Sequence, residues 1–182
     1  MIIGSIGGIS YLLDTIKGRA RPNRVSWFLW GLAPLVAFFA EISEGVKLVS
    51  LLTLTVGLYP ALIFAASFAN KKSGWKITKF DYLCGSFSVL GIILWAITRQ
   101  GTVAIIFSIL ADALAAVPTL VKSYKHPESE TYLVYLLGIF QAVITLLTIT
   151  TWDLANAGFP LYIFVVDAVI FSLVWFRSPR KQ

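Results

Sequence analysis

The chain has 182 residues, 58% of them hydrophobic and 13% charged, with a mean hydropathy of +0.82. A soluble domain of this length cannot bury so much apolar surface, whereas a bilayer can. The formal charge of +6 would suit nucleic acid, but no basic, aromatic-interleaved polar stretch carries that function, and no nucleic-acid partner is expected. One cysteine, Cys84, excludes an intrachain disulfide and a Cys-based zinc cluster. One histidine, His126, argues against a His-rich metal site, and no cofactor is expected. Met1 leads into an apolar run with no basic stretch or clear cleavage site, so no signal peptide is expected.

Seven apolar segments follow one another, at 2–17, 25–42, 47–70, 80–98, 102–122, 130–150 and 158–176. About 20 helical residues cross a hydrocarbon core of about 30 Å, so the first segment is short and the others fit. Long continuous runs favour helices over the ten-residue alternation of barrel strands. Near the end of the first segment stands Asp14, beside the basic group Lys17, Arg19, Arg21 and Arg24. Asp14 suits a gating or structural ion pair there. The second opens on Trp27 and Trp30 and contains Pro34; the third contains Pro60 and Ser67. A basic stretch with Lys71, Lys72, Lys76 and Lys79 precedes the fourth. The fifth carries Asp112 and Pro118 and runs into Lys122 and Lys125. The sixth opens on Tyr132 and Tyr135 and holds Gln141, and the seventh holds Pro160 and Asp167.

The basic residues set an orientation. Those after segments 1, 3 and 5, with Arg177, Arg180 and Lys181, make thirteen of the fifteen; only Lys47 and Arg99 fall on the other side. An integral protein of the plasma membrane is expected, and the positive-inside rule puts its N-terminus outside and its C-terminus in the cytoplasm. The basic loops also suit contact with anionic lipid headgroups.

A pattern repeats. Lys17-Gly-Arg-Ala-Arg-Pro22-Asn-Arg-Val-Ser26-Trp27-Phe-Leu-Trp30 is echoed by Lys122-Ser-Tyr-Lys-His-Pro127-Glu-Ser-Glu-Thr131-Tyr132-Leu-Val-Tyr135. Tyr59-Pro60-Ala-Leu-Ile63-Phe64-Ala-Ala-Ser67 is echoed by Phe159-Pro160-Leu-Tyr-Ile163-Phe164-Val-Val-Asp167. Both shared loops lie on the basic side, so the repeats are parallel, and an extra helix must restore the orientation between them. The expected fold is an all-α membrane protein of seven transmembrane helices in a 3+1+3 arrangement. Its parts are a first bundle (1–70), a basic loop with a linker helix (71–101), and a second bundle with the tail (102–182). Aligning Pro22 with Pro127 and Ser67 with Asp167 leaves the second copy five residues shorter between its prolines. That deletion is expected in or beside the loop between the sixth and seventh helices.

This arrangement resembles the SWEET and PQ-loop transporter superfamily. Pro118-Thr-Leu-Val-Lys122-Ser-Tyr124-Lys125-His-Pro-Glu-Ser129 looks like its proline-glutamine loop, with Thr119 in place of glutamine. The first repeat has Leu13-Asp14 at that position. Trp27-Phe-Leu-Trp30 also resembles bacterial transporters of the nicotinamide riboside type, which share the three-one-three architecture. The resemblance implies a small-solute carrier or facilitator, for a sugar or similar polar solute, that works by alternating access. It also implies that mid-depth polar residues of the third and seventh helices face each other across the solute.

Candidate site residues follow. Asp167 lies deep in an apolar helix, where a carboxylate needs a wet cavity, a partner or a proton; Ser67 is its expected counterpart. Asp112 sits among small residues and shares the second bundle with Asp167, which suits proton coupling; a hydrogen-bonded packing role fits it as well. Trp27, Trp30, Tyr132 and Tyr135 could stack on a solute or anchor the helices at the interface. Gln141 is a hydrogen-bonding group for solute. Pro34, Pro60, Pro118 and Pro160 would bend their helices and provide hinges; proline is also ordinary in membrane helices. Expected partners are the solute, a coupled proton and membrane lipids, and a homo-oligomer is compatible with such a bundle.

The alternative is a sorting or signal receptor, or a structural membrane protein, of the same architecture. The receptor needs a deep cation to clamp a carboxylate, and none stands in the helices. A light-sensing protein would need a lysine in the seventh segment, which has none. No HExxH, GxSxG or nucleophile–base pattern argues for an enzyme.

Overall fold

The computed structural model describes residues 2–43, 50–69, 75–98 and 101–178. Among them there are seven α-helices and no strand. They are α1 (Ile2–Ile16), α2 (Arg24–Ser43), α3 (Ser50–Ala69), α4 (Lys79–Thr98), α5 (Gly101–Lys125), α6 (Tyr132–Leu147) and α7 (Leu154–Arg177), with a short 3-10 turn at Pro127–Ser129. Each of the seven apolar segments is one helix. Among the described residues one stretch, Asn156–Arg177 in α7, is long and apolar enough to cross a membrane. Helices α1 and α6 have 15 and 16 residues, short of the ~20 that a full crossing takes.

Local chemistry sets several ends. Gly18, at φ 71°, takes the left-handed turn that stops α1. Asn23 caps α2, its Oδ1 accepting from the backbone N–H of Val25 at 3.0 Å and of Ser26 at 3.3 Å. Thr78 and Asp81 form a reciprocal box at the start of α4. The Thr78 N–H donates to Asp81 Oδ2 at 2.6 Å, and the Asp81 N–H to Thr78 Oγ1 at 3.3 Å. Asp153 caps α7 through the Asn156 N–H at 2.8 Å.

The helices pair in the same way in both halves. Helix α3 packs against α1 and α2, and α7 packs against α5 and α6, so the third helix is central to each bundle. The halves join crosswise, α1 to α6 and α2 to α5, while α4 lies against α5 and α2. The loop after α1 meets the loop after α5, the Arg21 N–H donating to the Ser129 carbonyl at 2.8 Å. Arg24 bonds Ser67 near the end of α3, Asn23 bonds Asp81 at the start of α4, and Arg177 lies over Tyr124 at the end of α5. These contacts put the C-terminal ends of α1, α3, α5 and α7 at one end of the molecule, with the N-terminal ends of α2, α4 and α6. That end carries the described basic clusters. Lys71, Lys72, Arg180 and Lys181 lie outside the described residues, as do Lys47 and Arg99.

One part of the expected alignment is overturned. Along α2 and α3, Arg24 faces Phe68, Phe28 faces Phe64, and Gly31 meets Ala61. Along α6 and α7, Tyr132 faces Phe171 and Trp175, and Gly138 meets Asp167. With Trp27 carried onto Tyr132, the position of α3 level with Asp167 is Tyr59. Reckoned instead through α1 and α5, where Gly8 meets Tyr59 and Asp112 meets Tyr162, it is Ile63. Either position is about one to two turns from Ser67. The shortening expected in or beside the connection between α6 and α7 is measured against residues 44–49, which lie outside the described residues. As described, α6 has 16 residues against 20 in α2, and α7 has 24 against 20 in α3. Matching prolines misled the alignment because a helical proline marks a bend, not a depth.

Candidate functional site between the two bundles

The basic end is closed by a buried polar cluster centred on Glu130. Lys122, in the last turn of α5, forms an ion pair with Glu130, and their side chains are 1% and 0% exposed. Two phenols donate to Glu130 Oε2: Tyr11 of α1 at 2.6 Å and Tyr135 of α6 at 2.9 Å. Lys122 also donates to the Arg21 carbonyl and stands 5.2 Å from the centre of the Trp75 ring. Glu130 thereby gathers groups from α1, α5 and α6, and Lys122 ties in the loop before α2. Such charge-assisted bonds are about twice as strong as neutral ones. A buried ion pair of this kind needs those added bonds to offset its desolvation.

Around the cluster lie the aromatic residues of α1 and α2. Tyr11 and Trp27 have ring centroids 4.5 Å apart, and Trp27 and Trp30 meet edge to face at 5.3 Å. Asp14 forms an ion pair with Arg19 at 3.0 Å and accepts from Thr131 Oγ1, before α6, at 2.9 Å. Asp14 therefore links the two halves at the mouth.

Deeper along α5 and α7 stands the acid pair. Asp112 accepts from Tyr162 Oη at 2.7 Å, and the Trp30 indole approaches it from α2. Asp167 lies within electrostatic reach of Asp112. Its carboxylate rests on Gly138 of α6, in space that a Cβ there would need. Both acids are half-buried. Gln141, one turn further along α6, lays its side chain over Gly4 of α1 and is exposed.

The structure brings together Asp112, Asp167 and Trp30, and it brings Trp27 and Tyr135 to the Glu130 cluster. It does not bring Ser67 to them. Ser67 is fully buried near the basic end of α3, accepting from Arg24 Nε at 3.0 Å and donating to the Phe64 carbonyl at 2.6 Å. The four aromatic residues are also unlike one another. Trp27 and Tyr135 are 4% and 3% exposed, so for them interfacial anchoring gives way to the interior. Tyr132 is 40% exposed and packs outward on Trp175. Pro34, Pro60, Pro118 and Pro160 all lie inside helices.

Sequence reasoning missed Glu130 and Tyr11, and it placed Lys122 among loop charges. A glutamate five residues before Tyr135, at the mouth of a helix of mean apolar character, is the available signal. Nothing local says that a lysine eight residues earlier and a tyrosine in the other half converge on it. Compared with family models, curated proteins and solved structures, the chain matches none.

Proposed function

We propose that the protein is a seven-span membrane transporter for a small polar solute, working by alternating access between the bundles α1–α3 and α5–α7. The observation that carries this reading is the crosswise joining of two identically paired bundles, α1 to α6 and α2 to α5, with the basic end sealed between them. Two halves packed in this way can rock against each other about the site between them. In this state the Glu130 cluster closes the basic, cytoplasmic end. Opening that end separates Tyr11 from Glu130 and Asp14 from Thr131, since each pair spans the two halves. Asp112 and Asp167 form the deeper polar site, with Trp30 offering a flat apolar face. In hydrocarbon such acids belong to a solute or proton path. A receptor that clamps a carboxylate between the bundles would need an available cation there, but Lys122 is already held by Glu130.

The test combines transport with conformation. Reconstituted protein is screened for uptake of radiolabelled sugars, nucleosides and amino acids. Spin labels at Lys17→Cys and Lys125→Cys, both exposed at the basic end, report its width in a Cys84→Ser background. Uptake above empty vesicles and two distance populations are expected. A single short distance under all conditions, with no uptake of any class, would remove the proposal.

A further inference from the structure

A groove of about 610 Å³ opens on the outer side of the first bundle, where α2, α3 and α4 meet. Its volume is in the range of small-molecule clefts, about 300–1,000 Å³. From Tyr82 to Val89 it follows α4 for about two turns, roughly 10 Å of helix. Val25, Phe28, Phe64 and Val89 make its walls apolar. Gly85 brings α4 close to α2, since a Cβ there would come within 2.8 Å of Val25 Cγ1. Ser86, also in the lining, donates its hydroxyl to the Tyr82 carbonyl at 2.9 Å, so it asks nothing of an occupant.

One lining residue is charged. Arg24 stands at the basic end of the groove, its guanidinium 4.1 Å from the centre of the Phe68 ring. Its Nε donates to Ser67 Oγ at 3.0 Å and an Nη to the Ser67 carbonyl at 2.8 Å. A guanidinium has five N–H donors, so these contacts orient it and leave others for an anion. An apolar slot that runs along the helices, with a fixed arginine at its basic end, matches one molecule of a bilayer: an acyl chain below and a phosphate at headgroup level. Basic pockets between helices on the cytoplasmic side bind anionic lipid heads in this way.

We infer that this groove holds an anionic phospholipid of the membrane, its phosphate on Arg24 and an acyl chain between α2 and α4; the inference rests on the membrane reading above. Native mass spectrometry of the full chain, in neutral detergent with equal amounts of phosphatidylglycerol and phosphatidylcholine of the same chains, tests it. The wild type should retain the anionic lipid preferentially. Arg24→Gln should cut that preference about fivefold, the effect of one basic residue at an anionic surface. Ser86→Trp, which fills the groove from its exposed side, should lower retention of both lipids. Lys17→Gln with Lys125→Gln, at the same end but away from the groove, should change neither. Equal retention of the two lipids by the wild type, undiminished retention in helical, monodisperse Ser86→Trp protein, or an equal loss of preference in the lysine variant would overturn the inference. If Arg24→Gln does not fold, Ser86→Trp and the lysine variant decide. Release of the protein from membranes by alkaline carbonate would instead defeat the membrane reading itself.

Discussion

Glu130 shows how much one side chain can organise. It accepts from two tyrosines and pairs with a lysine while almost wholly buried. Removing one partner of a buried ion pair strands the other, at a cost of about 3–5 kcal/mol. Lys122→Met should therefore lower stability by about that amount in denaturant unfolding in detergent. Joining it with Glu130→Leu should recover much of the loss, because the stranded charge goes too. A loss in the double variant equal to that of Lys122→Met would argue against a coupled pair. Asp167 makes a separate residue-scale prediction that belongs to the transport proposal. If it carries a coupled proton, Asp167→Asn abolishes the pH dependence of uptake in proteoliposomes and leaves part of solute exchange. Wild-type uptake by this variant at every pH would remove Asp167 from the site. Gly138→Ala should disturb the same carboxylate without touching its chemistry, because the new methyl takes its space.

Between elements, small residues decide how closely helices approach. A Cβ on Gly31 would lie 3.0 Å from the Ala61 nitrogen, and one on Gly57 would lie 3.0 Å from the Leu35 nitrogen. The α2–α3 contact is therefore backbone against backbone, as small residues permit. Overpacking such a contact costs about 1–3 kcal/mol, so Gly57→Ala should destabilise the protein by that much. Gly158→Ala meets the flexible tips of Leu154 at 2.9 Å and Ile109 at 3.5 Å, and should cost less. Thermal unfolding of the two variants in one detergent compares them. Equal losses would mean that the α2–α3 approach is not the tight one. The same contacts fix the register that corrected the repeat alignment. Antiparallel neighbours pair residue by residue, and so they measure depth where the proline spacing did not.

For the whole molecule, the charge distribution and the helix directions agree. Every described basic cluster lies at the end where α1, α3, α5 and α7 finish. Under the proposed orientation that end is cytoplasmic, and the exposed Lys76 reports it. In intact cells, Lys76→Cys in a Cys84→Ser background should resist an impermeant maleimide and react after permeabilisation. Labelling from outside would reverse the orientation. The Glu130 cluster belongs to this scale as well. Its tyrosines come from opposite halves, so under the proposed transport cycle the bond from Tyr11 breaks when the basic end opens.

Seven helices were legible in the sequence, because apolar runs of that length and continuity leave a backbone little alternative to satisfying its own hydrogen bonds. The sharing of Lys, Pro and aromatic pairs between two loops likewise exposed the like pairing of the two halves, and Asp112 and Asp167 stood out as acids in apolar runs. Depth and convergence were not legible. Ser67 aligned with Asp167 by proline spacing, yet it is bound to Arg24 near the basic end, because register is set by side chains across the helix pair and not by position along one helix. Lys122 read as a solvated charge, since nothing within its own segment reveals a carboxylate from beyond the next turn. The ion pair, the tyrosines that complete it and the arginine at the head of the outer groove exist only once helices far apart in sequence lie side by side.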